Sequence, residues 1–371
     1  MRKLASIQQV TNIRPIEGKD RIVQCSVLGW NVIIKKDEFQ EGDLAVYVEI
    51  DSKLPECPEY EFLRPKKFRI RTMKMGGVLS DGICFPLTVL PAREQPYEIG
   101  EDVTELMGVT KWEPQEDEDW WKDLKAEPRR KTFWEKLPLM RFKWYRKLFK
   151  QSGRKTGFPD EFPKSDETRV QNMPWILDDK KPVWVASEKI DGCSATYMLR
   201  RYRRTLLPDR YELTVCSRNV RLARDGSHYW RVADRYHIEK VLKELIGPFD
   251  WVAIQGEIVG PKIQKNKYKL TDYDLYVFNL LYPPERGDTS RTYRRLSSTT
   301  GKYMLENHGM KWVPILETNI RLPDTVDEVL AMAHGQSAIG DTLREGIVFR
   351  SADGQQSFKA VDPEFLIHYG I

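Results

Sequence analysis

Ser187-Glu188-Lys189-Ile190-Asp191-Gly192 closes a β-rich run, VWVASEKIDG, at residues 183–192. A lysine and an aspartate around a strand turn are common, so KIDG alone carries little weight. What raises it is the company that follows in fixed order. Ser217-Arg218-Asn219 comes next, then Gln255-Gly256-Glu257, Tyr276-Val277-Phe278, Glu345-Gly346-Ile347-Val348 and Phe358-Lys359-Ala360. Each lies in or beside a run that reads as a strand bounded by polar turns: YELTVCSRN (211–219), DWVAIQGEIVG (250–260), YDLYVFNLLY (273–282), EGIVFR (345–350) and QSFKAV (356–361). Apolar residues near helical spacing occur at 231–246, and at 323–333 after a proline start. This half of the chain reads as mixed α+β dominated by antiparallel sheet.

Upstream, Pro159, Pro163 and Pro174 mark the entry into that domain, around FPKSDETRVQN at 162–172. The first 110 or so residues differ. Residues 21–36 carry a Gly29 turn between two β-rich runs, 43–50 follow a Glu41-Gly42 turn, and 81–89 close the set. Short strands at this spacing suggest a small barrel or sandwich, and a five-stranded OB barrel fits the size. Between the two halves, 113–123 is acidic and 125–155 strongly basic, with RFKWYRKLFK at 141–150. That stretch reads either as a solvated linker plus an amphipathic helix packing Phe142, Tyr145 and Phe149, or as a phosphate-tracking arm with stacking rings. The expected division is 1–112, a charged linker or basic arm at 113–158, and 159–371.

Length and composition agree with this. A chain of 371 residues suggests two domains, at about 150 residues each. With 40% hydrophobic and 11% aromatic residues, wholesale disorder is excluded. Sixty Lys and Arg against 55 Asp and Glu leave a net charge of +5, compatible with a polyanionic partner without arguing for one. Cys25, Cys57, Cys84, Cys193 and Cys216 include no CxxC pair, which speaks against a disulfide frame or a zinc ribbon and for a reducing, cytoplasmic compartment. The histidines are scattered, so a metal here should be a hard cation held by carboxylates and phosphates. No stretch approaches the about 20 apolar residues of a membrane span. No apolar leader opens the sequence, and the expectation is a soluble protein with no membrane partner.

The ordered series resembles the covalent nucleotidyltransferase superfamily of ATP-dependent ligases and mRNA capping enzymes, with its motifs I, Ia, III, IIIa, IV and V. GWNVIIKKDEFQEGDLAVYVEIDSKLP (29–55), FRIRTMKMGGVLSDGICFPL (68–87) and FPKSDETRVQN narrow it: they are similar to RNA ligases of the Deinococcus and Naegleria type. Only about 113–158 is unmatched. The resemblance implies an N-terminal OB-fold barrel, then a ligase-type nucleotidyltransferase domain. It implies an enzyme that joins RNA 3′-OH and 5′-phosphate ends, for example at a nicked duplex, with ATP as AMP donor and Mg²⁺ or Mn²⁺. A DNA ligase or a capping guanylyltransferase is the alternative within the superfamily, and a non-catalytic OB-type RNA-binding protein the alternative outside it.

The same resemblance implies roles. Lys189 is the nucleophile that takes AMP; as a free amine of pKa about 10.4 it would be protonated, so its surroundings must favour the neutral form. Asp191, Glu257 and Glu345 would grip a hydrated cation, with contact to the ATP ribose as a second option for Glu257. Lys359 would meet the α-phosphate, Phe278 would stack on adenine, and the backbone around Glu188 would read the adenine edge. Arg218 and Asn219 are expected near the ribose or the RNA end, and Arg169 at a phosphate. Residues 261–270 (PKIQKNKYKL), with Tyr268, resemble a family segment, GxIQxNxYxL; otherwise they would form an exposed hairpin. Two departures stand out. Relatives carry Lys-x-Lys in motif V, but here Ser357 precedes Lys359. Only 12 residues follow Lys359, too few for the C-terminal OB domain of DNA ligases and capping enzymes. Since the residues for charging Lys189 fall between Arg169 and Lys359, a fragment from about Gly157 is expected to charge itself.

Overall fold

The computed structural model describes residues 3–112, 157–224, 226–285, 287, 288 and 292–370. The acidic and basic stretch, with Phe142, Tyr145 and Phe149, falls outside the described residues.

The main N-terminal sheet is curled and antiparallel, in the order Trp30–Lys35, Lys19–Val27, Ala5–Ile16, Leu44–Val48, Ile83–Pro86. Two small sheets flank it, Thr110–Lys111 with Ser52–Lys53 and Arg69–Ile70, and Met73–Met75 with Val78–Ser80. The curl comes from the long strand Ala5–Ile16. Its first residues pair with Leu44–Val48, and from Val10 onward it pairs with Lys19–Val27 on its other part. The register slips between Thr11 and Arg14, around Asn12 at φ 53°, and such a bulge sharpens twist and lets one strand serve two neighbours. Trp30, Tyr47, Ile7 and Val46 fill the interior. This is the OB-fold barrel that the turn spacing predicts.

The rest of the chain builds two further sheets. One runs Ile315–Ile320, Trp184–Lys189, Gly346–Ser351, Ser357–Val361, all antiparallel, around Trp184, Phe349 and Phe358. The other is centred on Cys193–Tyr202, Trp251–Val259 and Asp274–Tyr282, with Arg210–Cys216 outside the first of these. A parallel pairing in it joins Asp274–Tyr282 to Lys311–Trp312. The fold is thus a barrel followed by a mixed α+β, mostly antiparallel domain. Two predicted helices need correction. The run at 231–246 is two helices, His228–Arg235 and Ile238–Leu245, because His237 adopts a left-handed conformation between them. The run at 323–333 starts at Val326, where Thr325 and Glu328 form a reciprocal capping box. Among the described residues no helix is long and apolar enough to cross a membrane.

The barrel and the domain that follows it share contacts. Gly29 N–H donates to Gln171 O (2.9 Å), Trp30 Nε1 to Asn172 Oδ1 (2.5 Å), and Asn172 Nδ2 to Glu49 Oε1 (2.7 Å). The C-terminal helix, Pro363–Tyr369, reaches back: Val361, Phe365 and Leu366 belong to the barrel's own apolar cluster.

Candidate active site

Lys189 ends the strand Trp184–Lys189, and the register sets it opposite Gly346. Glu345, one residue earlier, therefore stands beside the lysine, and both its oxygens accept from Lys189 Nζ at 2.7 Å. Position 346 has room for glycine alone, since a Cβ there would lie 2.2 Å from Ala360 O on the next strand. Lys359 pairs with Val348, which pairs with Ser187. Cross-strand partners share a face, and so do residues two apart, so Lys359 and Lys189 project from one face of the sheet.

Asp191 sits in the turn after the lysine. That turn is tight, because a Cβ on Gly192 would lie 2.3 Å from Ile258 O. Asp191 N–H donates to Tyr268 Oη (2.8 Å), and its carboxylate is ion-paired with Lys267. Glu257 comes from the neighbouring sheet, opposite Ser194. Among the described residues its carboxylate has neither a hydrogen-bond nor an ion-pair partner. The exposed-hairpin alternative for 261–270 fails. Ile263 and Tyr268 are buried, and Asn266 ties the segment together through Leu270.

Burial opposes charge at each of these groups, and their neighbours decide the outcome. Burial would lower the pKa of Lys189, but Glu345, Glu257 and Asp191 outweigh it and hold the ammonium above its ordinary value. Burial, with repulsion from Glu345 and Asp191, pushes Glu257 up to about 8. Burial and Glu345 lift Asp191 to about 6 against the pull of Lys267. Lys359 falls to about 8, because burial joined by Lys189 and Arg169 exceeds the attraction of Asp166. This is a hard-donor set carrying more negative charge than its protein partners balance. Among the described residues no three His, Cys, Asp or Glu side chains are arranged to grip an ion directly.

The other predicted residues divide. Lys359 Nζ donates to Asp166 Oδ1 (2.8 Å), and Arg218 Nη2 pairs with Asp166 Oδ2 (3.1 Å), so one carboxylate bridges both cations. Burial is overcome there by Lys359, Arg218 and Lys189, which hold the Asp166 carboxyl well below the usual range. Asn219 Oδ1 accepts from Lys164 (3.0 Å). Phe278 is half-buried with the Arg350 guanidinium 5.7 Å from its ring centre. The Glu188 N–H is donated to Pro314 O at 2.8 Å, so this amide is not available to a base edge, and its carboxylate is held by Ser337 Oγ and Ala338 N–H. Arg169 is buried and directs Nη2 to Asp51 Oδ2 of the barrel (2.9 Å). At the position where the resemblance implies a second motif V lysine, Ser357 donates to Glu167 Oε2 (2.6 Å) and accepts from Arg295 Nη1 (3.0 Å). A fixed cation therefore reaches that position from another strand. Sequence reasoning passed over Asp166, Glu167, Lys267 and Arg295. The first two lie inside the DETRVQN run, whereas nothing distinguishes Lys267 from its neighbours Lys262, Lys265 and Lys269.

Comparisons with known proteins agree with this fold. A family model described as RNA ligase matches residues 182–361, and one for an OB-fold domain matches 4–87. No curated protein matches. Among solved structures, a mutant Naegleria gruberi RNA ligase without ligand has 31% identity and a TM-score of 0.77, covering 100% of this chain and 98% of that one. The Naegleria gruberi enzyme with pyrophosphate gives 31% and 0.77, with 100% and 99% covered. A further mutant of it, with ATP and Mn, gives 30% and 0.77 over 100% and 99%.

Proposed function

The chain belongs to the ATP-dependent RNA ligases, and on that premise we propose that it seals RNA 3′-OH/5′-phosphate ends through an AMP adduct on Lys189, most simply at a nick in a duplex. The observation that carries this reading is the Lys189 ammonium enclosed by Glu345, with Asp191 and Glu257 beside it. An amine so placed is a poor nucleophile until positive charge offsets the carboxylates. Asp191, Glu257 and Glu345 suit an Mg²⁺ or Mn²⁺ held through its water shell, since such an ion dehydrates reluctantly and no direct cage is formed by the described residues. When bound, it supplies charge that offsets those carboxylates and the α-phosphate.

The neutral Lys189 Nζ attacks the ATP α-phosphorus. A P–N bond forms, the bond to the bridging oxygen breaks, pyrophosphate leaves with the electron pair, and the lysine proton passes to water. An oxygen of the RNA 5′-phosphate then attacks the adduct phosphorus, a P–O–P bond forms, the P–N bond breaks and the lysine amine takes back a proton. The 3′-hydroxyl, losing its proton to water, attacks the RNA 5′-phosphorus, and AMP leaves with the electron pair of the broken P–O bond. Lys359, facing the same side as Lys189, is suited to hold α-phosphate oxygens, and Arg218 with Asn219 to hold the ribose or the RNA end. Phe278 offers its half-buried ring to adenine. Arg169 acts at one remove, by seating the barrel against the strand that bears Lys359. The separate ranges of the two family models, 4–87 and 182–361, support treating the barrel and residues 159–371 as the two working domains. Free cysteines suit a reducing compartment such as the cytoplasm.

The test is transfer of label from ATP to the protein. Wild type should form an acid-labile adduct with ATP and not GTP, EDTA should abolish it, and Lys189→Ala should lack it. Glu345→Ala should lose at least about a hundredfold in rate, the scale for an electrostatic partner without substitute. Labelling of the Lys189→Ala protein at the wild-type level would sink the assignment.

A further inference from the structure

Lys267 has no part in the chemistry above, yet its side chain is only 5% exposed. On one side its ammonium meets Asp191 Oδ2. On the other lie two ring faces, Phe365 with its centre at 4.6 Å and Tyr369 at 4.4 Å. Both rings come from the C-terminal helix, and that helix is anchored in the barrel. Phe365 and Leu366 lie in the barrel's apolar cluster, Glu364 pairs with Lys74 (3.1 Å), and Gly370 O accepts from Arg69 Nη1 (3.4 Å). The adjoining Tyr268 hydroxyl accepts from the Asp191 amide.

We propose that Lys267 is a positioning residue: it fixes the Asp191 carboxylate beside Lys189 and ties it, through the ring faces of the C-terminal helix, to the OB barrel. The need for such a fixture follows from charge. Asp191, Glu257 and Glu345 all act on one ammonium and repel one another. A carboxylate on a short turn would swing away from the other two unless something opposite held it. Lys267 does so through Oδ2 and leaves Oδ1 for the water shell of a cation. The two π-faces stand where water would otherwise solvate the ammonium, so the lysine has little freedom to leave. This inference rests on the reading of Asp191 as part of the adenylylation site.

The test uses full-length protein, labelled ATP and Mn²⁺ as the varied ion. Adduct formation is timed across Mn²⁺ concentration for wild type, Lys267→Met, Lys267→Arg and Tyr369→Leu, with melting temperature measured for each. Lys267→Met keeps the length and loses the charge. It should lower the rate about tenfold to a hundredfold, the range for groups that orient an ion's ligands, and raise the Mn²⁺ needed for half-maximal rate. Lys267→Arg restores a cation that stacks on rings and should recover most of the rate. Tyr369→Leu removes one ring face and keeps the ion pair, so it should raise the Mn²⁺ requirement by a smaller factor. It carries the test alone if Lys267→Met does not fold. A wild-type rate and Mn²⁺ dependence for Lys267→Met, or equal loss in the Met and Arg variants, would overturn the proposal, as would an unchanged Mn²⁺ requirement in Tyr369→Leu. Absence of adduct in the wild type would instead refute the site reading itself.

Discussion

His228 shows how a single side chain can set pH behaviour without touching the site. It opens the helix His228–Arg235 with 1% exposure, its ring 4.1 Å from that of Tyr229 and its Nε2 3.1 Å from Cys193 Sγ. Burial, with Arg231 adding, depresses its pKa to about 3. The unfolded chain titrates this group near pH 6.5, so between about pH 3 and 6.5 the unfolded state binds the extra proton. Stability should therefore fall as pH drops through that window, by on the order of 4 kcal/mol at about pH 3. Chemical denaturation of wild type and His228→Phe across this range checks it: the wild-type curve should fall more steeply, and parallel curves would refute the account. Nothing in the sequence marks His228 in this way. Lys189 was legible because the ordered series it heads resembles the motifs of a known superfamily, whereas Lys267 is one lysine among several, and only folding selects it.

At the scale of elements, the strands that carry the chemistry were legible and those that complete the sheets were not. Trp184–Lys189, Gly346–Ser351 and Ser357–Val361 match the expected runs closely. Cys193–Tyr202 and Ile315–Ile320 were not singled out; the first ends in a charged stretch, Arg200-Arg201-Tyr202, and the second has three exposed residues in six. The helix break at His237 escaped because apolar spacing continues through it, and a left-handed histidine leaves no mark in that pattern. For 261–270 an exposed hairpin was the alternative to a family segment, yet its tyrosine and one of its lysines turn inward. Gly346 offers the sharpest element-level test. A methyl group there must push Gly346–Ser351 away from Ser357–Val361, between Glu345 and Lys359. Gly346→Ala should cost about 1–3 kcal/mol, and adduct formation should drop by far more than the small unfolded fraction explains. Calorimetry beside labelling measures both, and a proportionate loss would count against the geometry.

At the scale of the molecule, barrel and ligase domain are less separable than the motif positions suggest. The span from Arg169 to Lys359 contains the charging residues, which is why a fragment from Gly157 looked self-sufficient. Yet Arg169 has its partner in Asp51, and the C-terminal helix is packed by the barrel. Asp51→Ala should cost about 3 kcal/mol, because it strands a buried guanidinium, and it should slow joining with it. Urea titration of the full chain reads the cost; a loss under about 0.5 kcal/mol, the scale of an ordinary surface change, would mean the pair is incidental. By the same argument the Gly157 fragment should charge poorly as well as join poorly, and labelling of that fragment at the full-chain rate would show that the barrel contributes nothing to the first step. The shared cluster also bears on the order of events during synthesis. The barrel's own strands precede the catalytic strands in the sequence, but Val361, Phe365 and Leu366, which pack into its interior, come after them. A nascent chain thus carries a barrel with an open seam until the helix Pro363–Tyr369 has emerged, so a protein cut short after Lys359 should lose its barrel to proteolysis first.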